Sequence, residues 1–247
     1  MSIAPTPVPT VEERVDLGRY HRPKAGDSFP SLVLIHDVWG VSEHSQQLAT
    51  ELSAEGFGVL EIDLYRDRDG PPTEDPGAFI RSLSDPHVLA DLEAGARWLM
   101  SQPAGRDRRV GVVGVCMGGT FALLAAATSD QFSAAAPFYG ILSYASGMLA
   151  EPAGRDYDKK PDSPLEVGNR LKMPLRASFG LEDEFVPNDD VDELEAELKR
   201  SGQRFRIDRY PAAGHAFLNR TREAAYRADA SKTAWERVIP FLREELG

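Results

Sequence analysis

The stretch GVVGVCMGG, Gly111–Gly119, sets the only cysteine of a 247-residue chain between two apolar segments of different character. Before it, RVGVVGV reads as a buried strand; after it, GGTFALLAAAT reads as a helix whose small residues allow close packing on a sheet. Gly114-Val115-Cys116-Met117-Gly118 fits G-x-C-x-G, the thiol counterpart of the G-x-S-x-G nucleophile elbow. In such a strained turn, the residues two before and two after the nucleophile must lack colliding side chains. Cys116 is then expected at the carboxyl end of a strand and the N-terminus of a helix. There the helix dipole favours a thiolate, and the Met117 amide can donate to a developing oxyanion. The plainer alternative is an inert buried thiol with glycines that only permit packing. The pairing of both glycines with the strand–helix context weighs against it.

The segments around the elbow alternate in the same way. SLVLI, FGVLEIDLY, FSAAAPFYG, MPLRASFG and QRFRIDRYP read as strands, and RVDLGRY as part of an opening hairpin. SEHSQQLATELSAEG reads as a helix capped at Ser42 and stopped at Gly56. PHVLADLEAGARWLMSQP, DDVDELEAELKRSG and KTAWERVIPFLREEL follow as helices, the first with an apolar stripe through Val88, Leu89, Leu92, Ala96 and Leu99. RDRDGPPTEDPG reads as a surface loop. Residues 1–12 form an expected extended arm, since APTPVPT is rich in proline. Repeated β-α alternation predicts an α/β fold, a mostly parallel sheet with helices on both faces, with residues 1–247 as a single domain. The stretch 143–170 interrupts the alternation, as a lid or as a surface insertion.

Composition narrows the function classes. A net charge of −11 argues against a nucleic-acid binder and against adhesion to an anionic membrane. No apolar run is long enough to span a bilayer, and MSIAPTPVPTVEER lacks the pattern of a signal peptide. One cysteine excludes an intramolecular disulfide and a multi-cysteine zinc site. These features predict a soluble cytoplasmic protein.

A cysteine nucleophile needs a histidine to manage its proton. Of five histidines, His215 in YPAAGHAF is best placed, directly after the strand RFRIDRY. A carboxylate to orient it is expected on the loop after the preceding strand, where SFGLEDEFVP offers Glu182, Asp183 and Glu184. Spacing does not choose among the three. The order cysteine, acid, histidine is that of α/β-hydrolases. His36 is the main rival to His215 as a base, with a structural or pocket-wall role as the plainer reading.

With LIHDVWG, VLEIDLY, GVVGVCMGG, PFYG, SFGLEDEFVP, GHAF and TAWERVIPFL in this order, the chain resembles the dienelactone hydrolase family of α/β-hydrolases from about residue 30 onward. The resemblance implies a triad of Cys116, Asp183 and His215. It implies an oxyanion hole from the Met117 and Val38 amides. It also implies a thiol-holding acid at Asp37, where the family usually carries the longer glutamate; holding the loop is the equal alternative. The implied reaction is attack of the thiolate on an ester or lactone carbonyl of a small molecule, then hydrolysis of the acyl-enzyme, with no metal or organic cofactor.

For a substrate carboxylate, the family's arginine position after the histidine falls on Asn219, with Arg220 one residue beyond and Arg81 as a second candidate. Trp39, Phe79, Tyr139, Tyr144 and Phe217 are candidates for an apolar wall. A dienelactone hydrolase of the carboxymethylenebutenolidase kind is the first reading. A broad carboxylesterase on the same scaffold is the second, and a catalytically inactive binding module the third.

Overall fold

The computed structural model describes residues 8–67, 74–105 and 109–247. Eight strands form one sheet: β1 (Thr10–Val15), β2 (Gly18–Pro23), β3 (Ser31–Ile35), β4 (Gly58–Ile62), β5 (Val110–Val115), β6 (Ala134–Phe138), β7 (Leu175–Gly180) and β8 (Phe205–Tyr210). Their spatial order is β1-β2-β4-β3-β5-β6-β7-β8. β1 and β2 form an antiparallel hairpin, β2 runs antiparallel to β4, and the remaining pairs are parallel. Seven α-helices connect them: α1 (Glu43–Ala54), α2 (Pro76–Ser82), α3 (Asp85–Ser101), α4 (Met117–Thr128), α5 (Pro164–Val167), α6 (Asn188–Ser201) and α7 (Ala228–Leu246).

The pleat of β3 explains the layering. Leu32 and Leu34 point into a cluster with Leu48 and Leu52 of α1 and Val238 and Leu242 of α7. Val33 and Ile35 point the other way, into a cluster with Leu92 and Ala96 of α3, Phe121 of α4 and Leu194 of α6. All five β3 residues are fully buried, as a strand covered on both faces requires. Each buried Leu or Ile among them stabilises the fold by about 1.5–3 kcal/mol. After β3 the chain adds β4 on one side and β5 on the other. The carboxyl ends of β3 and β5 therefore border the crevice where an open α/β sheet holds its ligands.

Two segments differ from their expected form. Residues 10–12 belong to β1 and not to an extended arm, because they pair with β2; residues 1–7 of that arm lie outside the described residues. The loop expected at 66–77 includes residues 68–73, also outside, and ends in the unexpected α2. Asp75 caps α2 by accepting from the Ala78 amide (2.9 Å), and Pro76 sits in its first turn. Asp-Pro was the local signal for it. Gly56 does follow α1, at φ 96°.

The 143–170 stretch carries a short 3-10 turn at Gly147–Leu149, then α5. It is tied to α3 through buried polar groups. Lys160 Nζ donates to Asp85 Oδ1 (2.6 Å), Tyr144 donates to Asp85 Oδ2 (2.8 Å), and the Asp85 amide donates to the Lys159 carbonyl (2.8 Å). Burial pushes the Asp85 carboxyl up and the Lys160 ammonium down, and each offsets the other's shift. Deleting one partner leaves a buried charge unpaired, so Asp85→Ala should lower unfolding free energy by about 3 kcal/mol in denaturant titration. A loss below about 0.5 kcal/mol, the range of ordinary surface substitutions, would show that this network does not hold the segment.

Candidate active site

Cys116 occupies the turn between β5 and α4 with φ 57° and ψ −120°. A non-glycine residue held in such a region costs about 1–3 kcal/mol, so its surroundings must fix it. Its amide donates to the Phe138 carbonyl (3.0 Å), and its own carbonyl accepts from the Gly119 (2.9 Å) and Thr120 (3.2 Å) amides. The glycines are sterically required. A Cβ on Gly114 would lie 2.0 Å from the Gly118 carbonyl oxygen, and one on Gly118 would lie 2.3 Å from that of Ile35. The thiol itself is only half-buried. α4 behind it is buried on nearly every face, anchoring the turn from the helix side.

His215 follows β8. Its Nδ1 lies 2.8 Å from Oδ2 of Asp183, and the other Asp183 oxygen accepts from the Phe185 (2.9 Å) and Val186 (3.2 Å) amides. Burial separates the three acids of this loop: Asp183 is buried, whereas Glu182 and Glu184 are exposed. The two loops are joined where the Glu182 amide donates to the Ala213 carbonyl (2.9 Å). The imidazole is flanked by the rings of Tyr139 and Phe185, at centroid distances of 5.2 and 5.1 Å. Burial drives its pKa down, but the charge of Cys116 and hydrogen bonds with Asp183 and Cys116 outweigh it, raising the value from 6.5 to about 10. Cys116 and Asp183 thus both favour the protonated imidazole against the pull of burial.

The turn after β3 forms the opposite border. The Trp39 amide donates to Asp37 Oδ1 (2.9 Å), and the Gly40 amide donates to the Asp37 carbonyl (3.2 Å). Burial raises the Asp37 carboxyl; the hydrogen bond from the Trp39 amide, then His36, Arg222 and His215, pull it back. Among the described residues no hydrogen bond joins Asp37 to Cys116. Met117 is the first residue of α4, so its amide has no acceptor within the helix. His36 is fully buried, with both ring nitrogens on backbone groups: Nδ1 is 2.6 Å from the Asp37 carbonyl, and the Leu64 amide donates to Nε2 (3.2 Å). Burial lowers its pKa.

The remaining candidates are engaged elsewhere. Arg81 donates to the Met148 carbonyl (2.6 Å) and pairs with Glu151, tying α2 to the 143–170 stretch. Arg220 pairs with Glu51 of α1 and lies over the Tyr226 ring. Asn219 accepts from the Thr221 amide (3.0 Å) and hydroxyl (2.7 Å), closing a turn. Phe217 is fully buried between Tyr139 and Tyr210, as core rather than wall. Tyr139 is also buried, at φ 39°, with its ring on His215; Tyr144 is buried on Asp85, and Phe79 packs on Tyr65. Trp39 is exposed at the rim. Phe185, Tyr65 and Arg222 touch or influence the site and were not singled out by spacing or motif.

The dienelactone hydrolase family model matches residues 18–246, nearly the whole of this assembly. The chain belongs to the dienelactone hydrolase family. It is a hydrolase of ester or lactone bonds with the α/β-hydrolase fold. A Bradyrhizobium relative provisionally named 2-oxo-3-(5-oxofuran-2-ylidene)propanoate lactonase is 29% identical, over 91% of this chain and 88% of its own. A provisionally named carboxymethylenebutenolidase of Escherichia coli K12 is 28% identical over 91% and 81%. The crystal structure of a provisionally named dienelactone hydrolase from Klebsiella pneumoniae superposes with a TM-score of 0.83 at 27% identity, covering 95% of this chain and 98% of that one.

Among the described residues, no helix is long and apolar enough to cross a membrane, and no cluster of His, Cys, Asp and Glu could hold a metal ion. Cys116→Ser removes the sulfur and Asp183→Asn the carboxylate's charge, both of which raise the His215 pKa, so each should lower the pH at which the His215 ring titrates, read by NMR of its ring nitrogens. A midpoint unchanged in both variants would contradict the coupling.

Proposed function

We propose that Cys116 attacks the carbonyl carbon of an ester or lactone substrate, with His215 and Asp183 as its partners. The observation that carries this reading is the half-buried thiol at a positive-φ turn, facing an imidazole that Asp183 orients at 2.8 Å. The thiolate forms an S–C bond, and the carbonyl electrons move to an oxyanion received by the Met117 and Val38 amides. When the oxyanion collapses, the C–O bond to the leaving oxygen breaks, and the His215 imidazolium gives that oxygen its proton. Water then attacks the thioester, His215 takes a water proton, and the thiolate leaves as the acid forms. Asp37 holds the turn through the Trp39 amide in this scheme and does not hold the thiol.

The substrate we favour is an unsaturated lactone of the dienelactone kind, within one domain spanning the chain. A thiolate leaves as readily as it attacks, which suits activated acyl groups. The lactonase relative, named for a propanoate-bearing oxofuran, supports that class. Arg222, whose charge is felt at Asp37, is the cation we assign to a substrate carboxylate, since Arg81 and Arg220 are paired elsewhere. A reduced thiol at the reaction centre fits the cytoplasm.

Kinetics on a dienelactone and on a neutral activated aryl ester test the scheme. Cys116→Ala and His215→Ala should each lower turnover of both on the order of 10³-fold or more. Full activity of Cys116→Ala on both would sink the mechanism. Wild-type turnover confined to the aryl ester would favour the broad carboxylesterase.

A further inference from the structure

The Asp37 carbonyl and the Val38 N–H are opposite ends of one trans peptide, so fixing the first aims the second. The carbonyl is fixed by His36. Because the Leu64 N–H donates to Nε2, the ring proton sits on Nδ1 and is donated to the Asp37 carbonyl at 2.6 Å. With both nitrogens so used, His36 has no lone pair for a substrate or a thiol, which removes it as a rival base. The next peptide is fixed by Tyr65. Its hydroxyl donates to the Val38 carbonyl (3.0 Å) and lies 3.4 Å from the Met117 sulfur, touching both residues assigned to the oxyanion.

The two side chains brace each other. Their ring centroids are 4.7 Å apart, and Tyr65 packs on Phe79 of α2 at 5.1 Å. The Tyr65 amide donates to Asp63 Oδ1 (2.9 Å), so the grip on the turn comes from the end of β4, which lies next to β3 in the sheet. Burial keeps His36 neutral, the form that this pair of hydrogen bonds requires.

We propose that His36 and Tyr65 are positioning residues that hold the Asp37–Val38–Trp39 peptides with the Val38 N–H presented beside that of Met117. This rests on the reading of Cys116 as nucleophile and of these amides as the oxyanion site. Neither residue touches the substrate; both act through peptide orientation, and the effect belongs to the transition state rather than to binding.

Tyr65→Phe keeps the ring contacts and removes the hydroxyl. It should lower kcat for the aryl ester roughly tenfold, a fraction of the 10²–10³-fold lost with a whole oxyanion donor, and leave KM near the wild-type value. Alkylation of Cys116 by iodoacetamide displaces iodide at a saturated carbon and develops no carbonyl oxyanion, so its rate and pH profile should match wild type. His36→Asn, whose amide nitrogen can replace Nδ1, should retain more kcat than His36→Ala; should His36→Ala fail to fold, Tyr65→Phe decides alone. Wild-type kcat in Tyr65→Phe overturns the proposal. So does a parallel fall in alkylation and hydrolysis, which would mean a general disturbance of the site. Undiminished hydrolysis by wild type with Cys116 fully alkylated is a different failure: it overturns the nucleophile reading, and this proposal with it.

Discussion

The backbone of Cys116, at φ 57° between the last residue of β5 and the first of α4, is the constraint from which the rest of the site follows. An L-residue rests there only when its neighbours leave no alternative. Here β6 takes its amide, the first turn of α4 takes its carbonyl, and the Gly114–Gly118 approach leaves no room for a methyl group. The strain is therefore offset by the packing of a parallel sheet against a buried helix. The same geometry lifts the sulfur above the sheet edge, toward loops that arrive from β3, β7 and β8.

Those loops bring partners whose burial sets their chemistry. Asp183 is buried, yet three hydrogen bonds satisfy its carboxylate, two from its own loop and one from His215. His215 lies between two aromatic rings with the Asp183 carboxylate on Nδ1, and Cys116 and Asp183 together raise its pKa against the pull of burial. On the far side, His36 is fully buried with its two ring nitrogens on backbone groups, and burial lowers its pKa. Two histidines within one site thus have their pKa values driven in opposite directions by what surrounds them.

Much of this was legible in the residues, for definable reasons. Doubly buried strands such as SLVLI are continuous apolar runs, and the elbow is a five-residue pattern whose glycines answer a local clash, so both are written locally. The choice of Asp183 over Glu182 and Glu184 was not, because it depends on which carboxylate the Phe185 and Val186 amides turn inward. Arg81 and Arg220 looked available for a substrate carboxylate, but Met148, Glu151 and Glu51, all distant in sequence, engage them. Phe217 was a candidate for a pocket wall or for core packing, and only the fold shows the rings of Tyr139 and Tyr210 enclosing it as core. Tyr65 ends the VLEIDLY stretch without standing out as a site residue; its hydroxyl matters only because β4 lies beside β3.

Turnover through Cys116, as proposed, requires a transient covalent bond to its sulfur. Acid quenching during steady-state hydrolysis of a slow lactone, followed by intact-mass measurement and peptide mapping, tests it most directly. A lactone keeps its leaving oxygen tethered, so the enzyme should gain the full mass of the substrate, located on the peptide that contains Cys116. An adduct on any other residue, or turnover with a population of adduct that stays at zero under conditions where acylation outpaces hydrolysis, would contradict the account.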